Sequence, residues 1–494
     1  MDKHGNITIS YDTWKNGIQA PIIGMGDMVN VDMFDKPGVL KIDLAPEVLA
    51  TPTVDSEFIT PLYYSGDDNL DLYTQDRVHY SYAIGSGTVA LNTPGDSTNR
   101  KSAPWADFGI VLDATNNTTI NLDASSAAGS GQTDDFVSFT GLTNAQTYNA
   151  IHSSPADNDL YIGGGRHIGR LSQVGTFAPG NSGTWNKIEK FLTLPENYVV
   201  RDIATVANFL VCSASILGDT VGTIAGTPYG ARLYYWDLSQ SVSAAVQWTG
   251  FVDLSTDIAA PILSANNNII YYDRAKKTLG ATNLSSAQEV FQFNNFTEDL
   301  TSYDDCLDLS RRVMVLGLSS DSSTQTPAGI YKIQDGVYTR NTISNDEVGS
   351  NGAVKISNVT SILGNDYLVG WSYNSTFGMD HFGKSDYRYA SYKAYIESPL
   401  YQVSRSLNKK SYQQVEVSLA KPLTTGQGIR ISYRKDLSST WTVMATFDFA
   451  TYGATSSFNS TAKISDVTTV QIKVELTTGA SSTTTPELIN VKLF

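Results

Sequence analysis

The chain has 494 residues, 41% hydrophobic and only 17% charged, with 27 tyrosines and a formal net charge of −15. An acidic chain in which no Lys/Arg run exceeds a pair, as at Lys276-Lys277 and Lys409-Lys410, lacks the electrostatic footprint of a nucleic-acid binder. No stretch approaches the 18 apolar residues of a membrane-spanning helix, and the start M-D-K-H-G-N-I-T lacks the apolar region of a signal peptide.

Thr, Ser, Asn, Gly and Tyr fill the places that charge leaves, a palette of strands and turns. Residues 1–54 read as an extended arm or closing strand rather than a domain. Ile7 to Tyr11 forms a candidate strand, Trp14-Lys15-Asn16-Gly17 a turn, and Pro37-Gly38 a turn between Asn30-Val31-Asp32 and the strand Val39 to Ile42. From residue 55 the pattern is β throughout. Leu62-Tyr63-Tyr64 and the alternating Arg77 to Ile84 come first, then short strands at Gly109 to Leu112 and Phe136 to Phe139. The polar run Ala124 to Asp134 is expected to be an exposed loop.

A hairpin phrase then recurs. The stretch Arg201 to Asp237 holds an apolar run through Phe209-Leu210-Val211, a polar loop, and the aromatic strand Leu233 to Trp236. Similar pairs are Asn158 to Gly163 with His167 to Leu171, Asn268 to Tyr272 with Thr278 to Thr282, and Arg312 to Leu316 with Gly329 to Ile333. Asn365 to Gly370 with Tyr387 to Tyr392 is read as the last. Shorter runs such as Val199-Val200, Ile203-Ala204, Pro261-Ile262-Leu263 and Val359 to Ile362 would be inner strands preceding each hairpin. Repetition every ~45–60 residues suits four-stranded propeller blades, because radial packing buries both faces of every sheet and leaves short, protected edges. Residues 55–395 are therefore expected to form a β-propeller of about six or seven blades.

Near Ile396 the pattern changes to longer alternating strands: Gln413 to Leu419, Gly428 to Arg434, Trp441 to Phe449, Thr468 to Leu476 and Ile489 to Phe494. Residues 396–494 read as a β-sandwich of jelly-roll type. The expected fold is thus all-β, with an N-terminal arm, a propeller and a C-terminal sandwich.

Chemistry-bearing motifs are sparse. His4, His79, His152, His167 and His381 show no metal-ligand spacing, and no metal or cofactor is expected. Cys212 and Cys306 read as buried thiols, with a single disulfide as the alternative. Gly163-Gly164-Gly165-Arg166-His167 follows a strand but leads into another strand, so it reads as a hairpin turn rather than a phosphate loop. Asp67-Asp68, Asp134-Asp135 and Asp304-Asp305 match no calcium loop. Lys435 to Trp441 resembles part of the Asp-box turn S-x-D-x-G-x-T-W of sialidase-type propellers, a hairpin-stabilising device without catalytic role. Tyr63-Tyr64, Tyr234-Tyr235-Trp236 and Tyr271-Tyr272 could stack on sugars or a partner, but at strand positions they read first as packing between blades. No catalytic residue is assigned.

The arm G-D-M-V-N-V-D-M-F-D-K-P-G-V-L-K (26–41) resembles the opening of bacteriophage tail structural proteins of the tail nozzle, or tail tubular protein B, type, with Lys36-Pro37-Gly38 where Arg-Pro-Gly would stand. Asn30 and Trp14 to Ile18 fit the same opening. The phrase from Leu194 to Cys212 resembles blades of such proteins, and I-E-S-P-L-Y-Q (396–402) with Ile431 to Val443 resembles their C-terminal sandwich. The resemblance implies a non-enzymatic virion tail protein, nozzle or adaptor-like, assembled in the host cytoplasm as a ring. It would contact copies of itself and other tail proteins through arm and sandwich; the acidic composition adds the expectation of no specific nucleic-acid binding, though DNA could pass nearby without adhering, and the hydropathy that of no membrane span. A host-receptor or carbohydrate-binding propeller is the alternative, and a glycan-degrading enzyme a more distant one.

Overall fold

The structure is a computed structural model. It describes all residues except 1–5, 16–26, 50–56, 60, 64–68, 75–77, 85, 87, 95–98, 117–118, 127–131, 143–148, 217–229, 240–243, 294–299, 302–305, 311–312, 321–327, 335–336, 345–353, 363–365, 374, 385, 391, 404–408, 437, 454 and 481. Strands dominate, and among the described residues the α-helices are the four-residue turns Tyr11–Trp14 and Phe449–Tyr452.

Successive antiparallel sheets follow one another along the chain. Sheet A holds Leu62–Tyr63, Asn69–Tyr73, Val78–Ala83 and Thr88–Pro94, and sheet B holds Asn99–Trp105, Phe108–Asn116, Thr119–Ser126 and Gln132–Phe139. Sheet C holds Asn149–Ser153, Leu160–Gly164, His167–Gln173 and Trp185–Thr193, and sheet D holds Tyr198–Val206, Phe209–Ile216, Arg232–Asp237 and Gly250–Asp253. Sheet E holds Ala259–Ala265, Asn268–Asp273, Thr278–Thr282 and Ala287–Gln292. Sheet F contains Leu307–Ser310, Val313–Ser320, Gly329–Gln334 and Val337–Asn341. Sheet G joins Val354–Ser361, Tyr367–Tyr373 and Thr376–Phe382 to a fourth strand from the arm, Glu47–Val48.

Local sequence explains the meander. Asn266 and Asn267, both with positive φ, form the two-residue turn between the first strands of sheet E, a backbone that Asn tolerates and that matches strand twist. The second strands of sheets D and G are buried along almost their whole length, because each has a neighbouring sheet packed on both faces. In sheet D, Leu210 and Cys212 pack with Tyr161, Ile168 and Phe191 of sheet C, whereas Val211 packs with Ile269 and Tyr271 of sheet E. In sheet G, Val369 and Trp371 share a cluster with Val315 and Ile330 of sheet F, and Leu368 shares one with Leu70 and Tyr82 of sheet A. Each sheet is thus packed against the next, and the last against the first, an arrangement consistent with a β-propeller.

Buried polar contacts reinforce these interfaces. The Trp105 indole donates to Asn158 O at 2.8 Å from sheet B to the sheet C hairpin. Asp202 of sheet D accepts from Ile262 N of sheet E at 2.9 Å, and Asp308 of sheet F accepts from Ser361 N of sheet G at 2.6 Å. Asn358 of sheet G donates to Phe58 O, just ahead of sheet A, at 3.0 Å.

The C-terminal part consists of two sheets. One has the order Ile7–Ser10, Leu488–Leu493, Lys410–Leu419, Ser457–Val467, and the other Ala394–Glu397, Thr469–Thr477, Gly428–Lys435, Thr442–Asp448. Val415, Val417 and Phe458 of the first share a core with Ile431, Phe447 and Val474 of the second. The second sheet does not end at Ala394–Glu397. The arm strand Asp27–Val29 pairs antiparallel with it and meets Val337–Asn341 of sheet F in a parallel bridge, so one sheet runs from sheet F into the C-terminal half.

Two expectations need correction. The return strand of the last hairpin is Thr376–Phe382, not Tyr387 to Tyr392. Ser375, with φ +62, reverses the chain close after Tyr373, and among the described residues of 387–392 the pairing is the isolated bridge of Arg388 with Leu44. The ends of the loop expected over Ala124 to Asp134 are strand: Thr119–Ser126 and Gln132–Phe139 include them, and Ala124 and Ser125 pair with Thr133 and Gln132. The strand Ser457–Val467 lacks a clear apolar alternation, because its polar S-F-N-S-T-A-K sequence buries few positions.

Candidate functional site

The arm builds the most elaborate polar site among the described residues. Asn30 takes a left-handed backbone (φ +55) and is almost fully buried. Asn is among the residues that adopt this conformation most readily, and its amide can satisfy several backbone groups at once. It donates to Thr342 Oγ1 (3.1 Å) and Lys393 O (3.0 Å) and accepts from Thr342 N (2.8 Å). Its main chain donates to Arg340 O and accepts from Asp43 N. One side chain therefore ties the arm to the end of sheet F and to the entry of the C-terminal sheets.

Two ion pairs flank it. Lys332 Nζ of sheet F lies 2.6 Å from Asp43 Oδ2, which also accepts from Asn341 Nδ2 at 2.8 Å. Burial alone would raise the Asp43 carboxyl pKa, but the Lys332 charge and these hydrogen bonds outweigh it and hold the group below the usual range. Burial would lower Lys332, and Asp43 instead raises it. On the other side Arg340 Nη2 is 3.3 Å from Asp27 Oδ2, which also accepts from the Tyr395 hydroxyl at 3.3 Å. Burial opposes the Arg340 charge and Asp27 restores it. Burial, then Asp27, pushes the neighbouring Glu397 carboxyl upward.

The Lys36-Pro37-Gly38 turn closes through Val39 N to Lys36 O, with Gly38 at φ +84. Lys36 reaches Glu487 at 2.8 Å, and Leu40 and Leu488 exchange backbone hydrogen bonds. Trp14 is wholly buried in the core that includes the C-terminal sheets. The described arm strands thus pair within their own chain. Chemically, this site aligns and locks backbone; its carboxylates are matched by cations and amides.

Other motif residues fall apart in space or serve turns. Gly163 and Gly164 end a strand and Gly165 (φ +56) turns the chain before His167, whose Nδ1 lies 3.0 Å from Thr193 Oγ1. His152 Nε2 lies 2.7 Å from Thr205 Oγ1, and burial lowers its pKa to about 4. His381 Nδ1 lies 2.7 Å from the Tyr82 hydroxyl and Nε2 3.3 Å from Asp366. Among the described residues no group of three or more His, Cys, Asp or Glu is placed to hold a metal ion. Cys212 and Cys306 are buried thiols not joined in a disulfide. His4, Asp67-Asp68 and Asp304-Asp305 lie outside the described residues. Asp436, in the Asp-box-like turn, accepts from Thr468 N (3.0 Å), Thr468 Oγ1 (2.6 Å) and Thr469 N (3.2 Å), anchoring the hairpin as a structural device.

The paired aromatics divide between neighbours. Tyr234 and Trp236 pack toward sheet C and Tyr235 toward sheet E; Tyr271 packs toward sheet D and Tyr272 toward sheet F. A polar pocket of about 140 Å³ between sheets D and E is lined by Asp253, Asp273, Lys276 and Glu289. It is smaller than ordinary ligand pockets, and Asp273 is occupied by Thr256 Oγ1 (2.6 Å) and Lys276 N (2.9 Å). No helix among the described residues is long and apolar enough to cross a membrane.

No protein-family model matches the sequence, and no curated protein matches it. Among solved structures the chain is similar to YCF48 from Cyanidioschyzon merolae, at 11% identity and a TM-score of 0.43, over 68% of this chain and 98% of that one.

Proposed function

We propose that the chain is a structural component of a tailed-phage virion, a nozzle- or adaptor-like tail protein that assembles as a ring. In this reading sheets A to G close into a seven-bladed propeller and the two C-terminal sheets form a jelly-roll-like sandwich. The observation that carries it is the arm strand Asp27–Val29, which splices sheet F to the C-terminal sheet. A chain whose two halves share one hydrogen-bonded sheet resists hinge motion between them, as a load-transmitting ring subunit must. The arm sequence that resembles tail proteins is the segment that makes this splice. Mass spectrometry of purified particles tests the proposal: peptides at a stoichiometry of several copies per virion are expected, and their absence rejects it.

A host-glycan role is the second reading. It draws on Phe251, which is half exposed beside Arg232, whose guanidinium lies 4.5 Å from the Phe251 ring and 5.1 Å from that of Tyr198. Specific signals on a glycan array, lost on Phe251→Ala, would favour it.

A further inference from the structure

The second C-terminal sheet has two unlike faces. Ile396, Val470, Ile472, Val474, Ile429 and Phe447 point into the shared core. The alternate residues make a ladder of cations, carboxylates and rings on the opposite face. Arg430 forms a forked pair with Glu475 (2.7 and 2.6 Å) and lies 3.8 Å from the Tyr392 ring centre. Lys473 lies 3.8 Å from the Tyr395 ring and 5.9 Å from that of Trp441, and Arg434 lies 4.6 Å from Trp441. Lys473 and Arg434 share Glu397, each at 3.8 Å.

The layering has a sign. Arg430 is 31% exposed over a Glu475 that is 8% exposed, and Arg434 is 32% exposed over a Glu397 at 16%. The carboxylates lie beneath, and the guanidinium groups meet solvent. Stacking and pairing hold these long side chains in place, so little rotamer entropy remains to be lost on contact. Val443, 55% exposed and paired with Ser432 of the same face, adds apolar area. The chemistry is that of a protein interface, in which Trp, Tyr and Arg carry much of the binding energy.

We infer that this face docks a second copy of the chain through an acidic surface of that copy. With three cations over two carboxylates, on a chain of formal net charge −15, this face is drawn to the excess negative charge of another copy. A contact between two different surfaces is heterologous, and it closes into a ring when the rotation between copies divides a full turn. The inference rests on the ring-forming reading above but is tested apart from it. The full-length protein is measured by light scattering after gel filtration and by sedimentation, at low salt and at about 0.5 M salt, where exposed charges are screened.

Self-association at low salt that dissociates at high salt is expected. Thr446→Glu, an exposed position opposite Arg430, is expected to weaken association at least about tenfold with an unchanged melting temperature. Trp441→Ala is expected to do the same without changing charge. A chain that stays monomeric at low salt, or association equal in wild type and Thr446→Glu, overturns the inference, whether or not virions contain the protein.

Discussion

Lys332 and Asp43 bring sheet F and the N-terminal arm within 2.6 Å of each other, in a setting where neither charge is well hydrated. Removing one partner strands the other, which costs more than removing both. Lys332→Met is expected to lower unfolding stability by about 3–5 kcal/mol, and Lys332→Met with Asp43→Asn by much less. Because the folded Asp43 pKa is depressed, its contribution is complete above the unfolded value near ~3.9 and fades as pH falls through the folded value. Denaturant titrations across pH should therefore show wild type losing more stability than Asp43→Asn below about pH 4. Parallel profiles would contradict the pairing.

Close approach between sheets gives a second expectation. A Cβ on Gly317 would sit 2.6 Å from Ile356 Cγ2 of the next sheet, and one on Gly163 2.5 Å from Val200 Cγ1. Gly317→Ala and Gly163→Ala are each expected to destabilise by about 1–3 kcal/mol through overpacking. Ile356→Ala removes the closest of these atoms: in that background Gly317→Ala should cost clearly less. A cost that persists would place the strain in the backbone instead.

Much of this architecture could be read from residues. Paired hairpins such as Leu160–Gly164 with His167–Gln173 and Asn268–Asp273 with Thr278–Thr282 carry the apolar periodicity of strands buried on both faces. Glu47–Val48 and Asp27–Val29 could not be assigned partners, because strands of two or three residues have no measurable period and pair far along the chain. Asn30 stood out only through the resemblance of its surroundings to tail proteins; its positive φ and four side-chain hydrogen bonds are tertiary facts. The cationic face was equally hidden, since V-Q-I-K-V-E-L shows its alternation but not which rings stand over Lys473.

Asp123 provides a pH test in the opposite direction. Burial, and then the nearby Asp113, Asp134 and Asp135, raise its pKa to about 7, although Asp135 N donates to it at 2.8 Å. The folded state therefore binds the proton more tightly than the unfolded chain, and stability falls as pH rises from about 4 to 7. Asp123→Asn removes the titration. It is expected to stabilise the protein above pH ~7 by on the order of 1–2 kcal/mol and to change little below pH ~4. Thermal unfolding across this range checks it, and a variant destabilised equally at every pH would show that the Asp123 carboxylate is a needed acceptor.

An arm strand completes sheet G. Glu47–Val48 pairs with Asp380 and His381, Leu49 N donates to Met379 O at 2.9 Å, and the buried Leu49 side chain joins Phe58, Leu70, Tyr82 and Leu368 between sheets G and A. His381 adds a polar tie to Tyr82 across the same seam. Leu49→Ala leaves a cavity at the only described interface where the last sheet meets the first, and should cost about 2–5 kcal/mol. Because the loss is local, hydrogen exchange should accelerate first at the amides of 379–382 and in sheet A, while sheet C keeps its protection. Uniform acceleration in all sheets would mean that the seam has no separate stability and that the ring unfolds only as a whole.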